Sequence, residues 1–243
     1  GSPPWEGGGW VRAGFPTTRP VPSTAPTRPA TVGPVSATPS DIVEAGYDRI
    51  AARYLAWSEQ VEGDPRLRFL HDLLARLPAH PAVLDLGCGA GLPCLALLAA
   101  RGEAVGVDLS GDQLALARQR VPTARLVKGD MTAVEFPPAS FDAVTAFYSI
   151  GHVPRDEHGA LFQRVASWLR PGGHFLAALP SGDGHGTVDD WLGAPMFFSG
   201  HDPRTSRRLL AEAGLDVLVD EIVTMREPEG PASFQLSLIH RCV

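Results

Sequence analysis

The chain has 243 residues, 44% hydrophobic and 20% charged, enough for one α/β domain with additions around a sizeable core. Its formal net charge of −6 argues against a nucleic-acid-coating surface, and no apolar run reaches the length of a membrane span. Cys88, Cys94 and Cys242 carry no CxxC or zinc spacing and no basic-then-apolar leader is read at the start, so reduced thiols, no metal and a cytoplasmic setting are expected.

Residues 1–39 are rich in Pro, Gly, Ser and Thr without an apolar period and are expected to form a disordered tail. From Ser40 the pattern turns helical. Asp41 followed by Glu44 fits a capping box, and Tyr47, Ile50, Tyr54 and Trp57 then recur at helical spacing. A second helix follows Asp64-Pro65, with Leu67, Leu70, Leu74 and Leu77 as its expected buried stripe. These two helices define an N-terminal lid unit over 40–80, ahead of a main domain over 81–243.

The main domain opens on VLDLGCGAG, Val83 to Gly91: an apolar strand carrying Asp85, then GxGxG at Gly87, Gly89 and Gly91, with Cys88 inside the turn. An apolar helix follows, and then a second strand, EAVGVDLS, which ends in Asp108-Leu109. Strand, glycine turn and helix form the opening unit of a doubly wound sheet, in which ligands sit at the carboxyl ends of the strands. Asp108 stands 17 positions beyond Gly91, where a carboxylate can accept from both hydroxyls of a ribose. Ser110 caps the next helix, a third strand leads to Asp130-Met131, and a fourth, FDAVTAFYSIGHV, ends in Phe147, Tyr148 and His152. PRDEHGALFQRVASWLRPGG, residues 154–173, carries a helix with Leu161, Val165, Trp168 and Leu169 inward, stopped by Pro171-Gly172-Gly173, and HFLAALP is strand five. The stretch 181–201, polar and glycine-rich and then aromatic, is expected to be a long loop serving as substrate wall and lid, with Trp191, Phe197 and His201 as its candidate contacts. One more helix and two C-terminal strands complete the chain.

Taken together, hxDxGxGxG, the acid at Asp108, GDMTAVEFP, FDAVTAFYSIGHV and LRPGG resemble the class I S-adenosylmethionine (SAM)-dependent methyltransferases, in their small-molecule branch, from about Tyr47 to the C-terminus. The resemblance implies a doubly wound Rossmann-like α/β fold with a seven-stranded, mostly parallel sheet and an antiparallel C-terminal strand. It also implies SAM as cofactor and S-adenosylhomocysteine (SAH) as product. On the matching positions Asp108 would hold the ribose, Asp130 the adenine amino group with Met131 on the ring, and Phe147 the methionine side. Asp85 would order the glycine loop near the methionine ammonium.

The acceptor is expected to be a small apolar or aromatic metabolite methylated on O, N or C, in bacterial secondary metabolism. Tyr47, Tyr54, Tyr148, Trp191, Phe197 and His201 are the expected acceptor contacts, and His152 the general base, since imidazole titrates near working pH. No nucleic acid or membrane is expected as partner, and the chain is expected to be a monomer or homodimer. Two rival readings share the cofactor motifs: a SAM-binding protein that catalyses a rearrangement or cyclisation without methyl transfer, and a non-catalytic binding module.

Overall fold

The computed structural model describes residues 37–241. The expected tail, apart from its last three residues, and Cys242 lie outside them. Nine strands are present among the described residues: β1 (Ala82–Leu86), β2 (Glu103–Asp108), β3 (Arg125–Lys128), β4 (Phe141–Phe147), β5 (Leu169–Pro180), β6 (Gly184–Trp191), β7 (Ala194–Gly200), β8 (Leu215–Glu227) and β9 (Gly230–Arg241). Seven of them form one sheet in the order β3-β2-β1-β4-β5-β9-β8. β1 to β5 run parallel, and β9 is inserted antiparallel between β5 and β8. The chain winds outward from β1 to β3 and then crosses to β4 on the other side. The switch point therefore falls between β1 and β4, where a crevice opens at the strand ends.

Both faces of the sheet are covered, which is why its central strands read as near-continuous apolar runs. Successive residues of β1 point to opposite faces. Val83 packs with Phe69, Leu70 and Leu73 of α2 (Arg66–Leu74), with Leu95 and Leu98 of α3 (Cys94–Ala99), and with Leu114 of α4 (Gly111–Arg120). Leu84 faces Leu161, Val165 and Trp168 of α5 (His158–Trp168) and Leu210 of α6 (Pro203–Glu212). Emptying the Trp168 position by an alanine substitution would cost about 3–5 kcal/mol.

The helix before the first strand, Pro39–Ser58, spans 20 residues and lies across the carboxyl ends of the strands. Numbered α1, it differs from expectation at its start. Its cap is Thr38, whose Oγ1 accepts from the Asp41 N–H (3.2 Å) while the Asp41 carboxylate accepts from the Thr38 N–H (2.9 Å). Pro39 sits pre-organised at the first helical position, so the capping box falls three residues earlier than the Asp41–Glu44 pairing. In α2 the buried stripe is Phe69, Leu70, Leu73 and Leu74. Leu67 is 40% exposed and Leu77 lies past the helix end, because α2 has only nine residues and turns its Phe69 side to the sheet.

The stretch 181–201 is not an irregular loop. It is a β-hairpin, β6 with β7, forming a second two-stranded sheet. Leu192 and Gly193 both have positive φ (55° and 96°), the backbone that closes a tight two-residue hairpin turn. Met196, Phe197 and Phe198 join Val43, Tyr47, Ile50 and Tyr54 of α1 in one apolar cluster, with Met196 turned toward α1. Gly46 permits this contact, since a Cβ there would stand 2.7 Å from the Met196 methyl. Pro171-Gly172-Gly173 likewise lies inside β5, at an irregularity in the pairing with β4, so it does not separate helix from strand.

Candidate active site

Two cavities open side by side under α1. The first, about 700 Å³, is walled by the ends of β1, β2 and β4 and by the loops that follow them and β3. Gly87 turns with φ +71°, and a Cβ on it would come within 2.2 Å of the Ser149 Cβ, so the turn after β1 can nest against the end of β4 only as glycine. Asp108 fixes that turn: Oδ2 accepts from the Gly89 N–H (2.8 Å) and Oδ1 from the Ser110 N–H (2.9 Å). Burial pushes the Asp108 pKa up to about 6, against the opposing effect of these two N–H groups. Asp130 accepts from the Thr132 N–H and hydroxyl (both 2.8 Å), and from the Ser40 hydroxyl of α1 (2.6 Å). Asp48 of α1 accepts from the Ser110 hydroxyl at 2.6 Å, so the lid helix is tied at two points to the loops of this cavity.

Of the expected cofactor residues, Gly87, Gly89, Asp108, Leu109, Asp130, Met131 and Phe147 line this cavity, and Asp85, Cys88 and Gly91 do not. Asp85 is buried beneath the loop. It accepts from the Thr145 hydroxyl at 2.6 Å, joining β1 to β4, and burial raises its pKa to about 7. Cys88 turns its sulfur toward Gly106 in the core, and burial raises its thiol pKa far out of the reactive range. Gly91 lies against Val121 and Ala117 at the back of the loop. These three shape the turn from behind.

Sequence reasoning missed Gln113. It is only 1% exposed and lines the cavity, and neither its amide nitrogen nor its oxygen has a partner among the described residues. A buried amide left unmatched is costly, so the site holds both a donor and an acceptor for a ligand. The legible signal was a glutamine beside Leu114, on the inward side of α4.

The second cavity, about 620 Å³, shares Tyr47, Tyr54, Tyr148 and His152 with the first and adds Trp57, Arg66, Trp191, Phe198, Ser199, Glu227 and Phe234 among its walls. Tyr148 has φ +59°, an unfavourable backbone for a residue with a Cβ, held where β4 ends. Its hydroxyl donates to Asp64 at 2.6 Å. Tyr54 and Trp57 stack at 5.7 Å, and Trp191 contacts both rings as well as Tyr47.

His152 stands where the cavities meet, in a 3₁₀ turn over Ile150–His152. Its Nδ1 lies 2.8 Å from the Phe197 carbonyl, an acceptor, so Nδ1 carries the proton. Nε2 is left with its lone pair and accepts from the Tyr47 hydroxyl at 2.9 Å. Burial lowers the His152 pKa to about 4, so the ring is neutral near physiological pH and, against expectation, does not titrate in the working range.

Two of the expected acceptor contacts are corrected. Phe197 lines neither cavity, because the alternation of β7 puts its ring on the face opposite Met196, which meets Gly46 of α1, and opposite Phe198. Its backbone carbonyl orients His152, and the next residue, Phe198, supplies the wall. His201 lies outside both cavities. It bonds the Arg155 carbonyl at 2.9 Å and packs on His158. Of the other expected acceptor contacts, Tyr47, Tyr54, Tyr148 and Trp191 line the second cavity. No helix among the described residues is long and apolar enough to cross a membrane.

A seven-stranded doubly wound sheet with a glycine turn, an acid at the end of β2 and a cavity above them defines a nucleotide-cofactor-binding α/β domain. Residues 83–173 match the family described as a methyltransferase domain. Methyltransferase GfsG of Streptomyces halstedii is 33% identical over 202 residues, covering 74% of this chain and 71% of that protein. Trans-aconitate 2-methyltransferase of Rhizobium meliloti (strain 1021) is 37% identical over 121 residues, 48% of this chain, and the chain spans about half the length (46%) of that relative. Among solved structures, the 1,6-didemethyltoxoflavin-N1-methyltransferase of Burkholderia thailandensis, with bound 1,6-didemethyltoxoflavin and SAH, has the same fold. Its TM-score is 0.65 at 20% identity, over 88% of this chain and 95% of that one. The chain belongs to the class I SAM-dependent methyltransferases, whose cofactor is SAM.

Proposed function

We propose that the protein transfers a methyl group from SAM to an O, N or C atom of a small, largely apolar or aromatic metabolite, by in-line displacement. The observation that carries this is the meeting of a cofactor-type cavity and an aromatic-walled cavity at His152 and Tyr47. The unpartnered Gln113 amide and the glycine turn fit the first cavity to SAM. Asp108 and Gln113 would meet the ribose side, Asp130 and Met131 the adenine, and Phe147 the methionine side. When bound, SAM supplies a methyl already activated on a sulfonium.

The chain's own residues then have three tasks. The rings of Tyr47, Tyr54, Trp57 and Trp191 close the site from above and keep water out. The Phe197 carbonyl holds His152 in one tautomer. Nε2 of His152, directly or through the Tyr47 hydroxyl, takes the acceptor's proton as the new bond forms. Orientation alone can lower such a barrier by roughly 7–11 kcal/mol, and a placed base adds on the order of a hundred- to ten-thousand-fold.

The test begins with thermal unfolding in SAM, SAH and NAD. Near 100 times Kd a ligand adds about 2.7 kcal/mol of stability, a rise of roughly 5–10 °C in Tm for a domain of this size. The expected result is a shift with SAM and SAH and none with NAD. SAH release over a panel of small hydroxy- and amino-aromatic compounds then finds an acceptor. On it, His152→Ala should lower kcat by on the order of a hundredfold or more while leaving the SAH shift in place. No shift with either sulfur ligand would end the methyltransferase reading. An undiminished kcat in His152→Ala would remove the base and leave orientation alone.

A further inference from the structure

Taking the second cavity as the acceptor site, we propose that it selects acceptors without negative charge and turns carboxylates away. The inference rests on the methyltransferase reading and adds to it the charge class of the substrate. It starts from Arg66, the one guanidinium among the described residues of the cavity wall. In an apolar cavity a lone arginine is the natural anchor for a carboxylate. Here the protein already occupies it. Arg66 Nε donates to Asp64, and the Asp64 carboxylate also accepts from the Arg66 backbone N–H at 2.9 Å and from the Tyr148 hydroxyl at 2.6 Å. The guanidinium carbon lies over the Tyr148 ring at 5.1 Å. Its charge is matched and its flat face is covered.

A carboxyl group lines the same space. Glu227, 8% exposed, stands at the end of β8 beside the tyrosines. The one cation of the wall, Arg66, is held by Asp64, and the other charged group of the wall is the Glu227 carboxyl, so no open cation faces an entering acceptor among the described residues. The remaining walls are aromatic, and ring faces are themselves electron-rich. An entering carboxylate would give up its water and meet like charge. A neutral acceptor is better served. Ser199, 3% exposed and lining the cavity, has a hydroxyl without a partner among the described residues, ready to give or take one hydrogen bond with a hydroxyl or carbonyl group.

The experiment is isothermal titration calorimetry on the full chain saturated with SAH, near neutral pH, with 2-naphthol, 2-naphthoate and trans-aconitate as probes. The naphthol is expected to bind at least about tenfold tighter than the naphthoate, with trans-aconitate weaker still. Glu227→Gln removes the like charge and Asp64→Asn releases Arg66. In whichever variant keeps its SAH affinity, the gap between naphthol and naphthoate should narrow by about threefold or more. Naphthoate or trans-aconitate binding as well as naphthol would overturn the proposal. So would an unchanged gap in SAH-binding variants, or no binding of any probe to a protein that does bind SAH. Failure of the wild type to bind SAH at all would strike the methyltransferase reading and take this inference with it.

Discussion

The two cavities share four side chains yet are assembled in opposite ways. The first cavity, the proposed SAM site, is made from consecutive strand ends, and most of its polar groups sit in turns held by neighbours close in sequence. Ser110 bonds Asp108, and Thr132 bonds Asp130. The second cavity, the proposed acceptor site, is made from pieces far apart in the chain. The Tyr47–His152 bond spans 105 residues, the Trp57–Glu229 bond spans 172, and the walls come from α1, the hairpin and the last two strands. A local design tolerates little change at any one turn, whereas a distributed one can alter a wall without disturbing the chemistry beside it.

Three measurements would break or sharpen that contrast. The largest effect is expected from Asp108→Ala. It removes the charged acceptor of the Gly89 and Ser110 N–H groups as well as the proposed ribose partner, and hydrogen bonds to a charged group are worth roughly 1.5–3 kcal/mol each. SAH affinity by calorimetry should fall about a hundredfold or more; a loss of only a few-fold would mean that the loop does not depend on its acid. The second is the pH dependence of that affinity. Asp108, pushed up to about 6 by burial, must be ionised to accept from ligand hydroxyls. Affinity should therefore be flat above about pH 7 and fall as pH drops through 6, reaching roughly a tenfold loss near pH 5. The third and smallest is Gln113→Leu, which keeps the volume and removes the unpartnered amide. SAH should bind roughly three- to tenfold more weakly, one net hydrogen bond's worth. Tighter binding would show that the amide faces no ligand group.

The same contrast explains what could be read in advance. The sheet, the crevice and most of the first cavity's lining followed from short-range pattern: an apolar strand, a glycine turn and an acid at the end of the next strand. Where that reading erred, the residue was right and its direction was not. Asp85 and Cys88 lie within the motif but point behind it, because strand alternation and the tight turn set side-chain direction residue by residue. Around the second cavity the hairpin reads in sequence as a loop, since glycine and acidic residues in β6 mask a period of two that its half-exposed strand needs only weakly. Phe197 and Phe198 exchanged roles for the same reason. Arg66, Ser199 and Glu227 carried no local signal, as only tertiary contacts bring them to one wall.

The hairpin has one more property of interest. Gly184 at its start pairs with Gly200 at its end, so the segment leaves and rejoins the body of the protein at a single point. Topologically it is a cassette. It can be exchanged for another of different length or ring content while the parallel strands and their glycine turn remain covalently untouched, and the tether to His152 through the Phe197 carbonyl needs only a backbone oxygen. Acceptor range in this architecture can thus diversify by exchange of a single segment, with the methyl-donor machinery inherited whole.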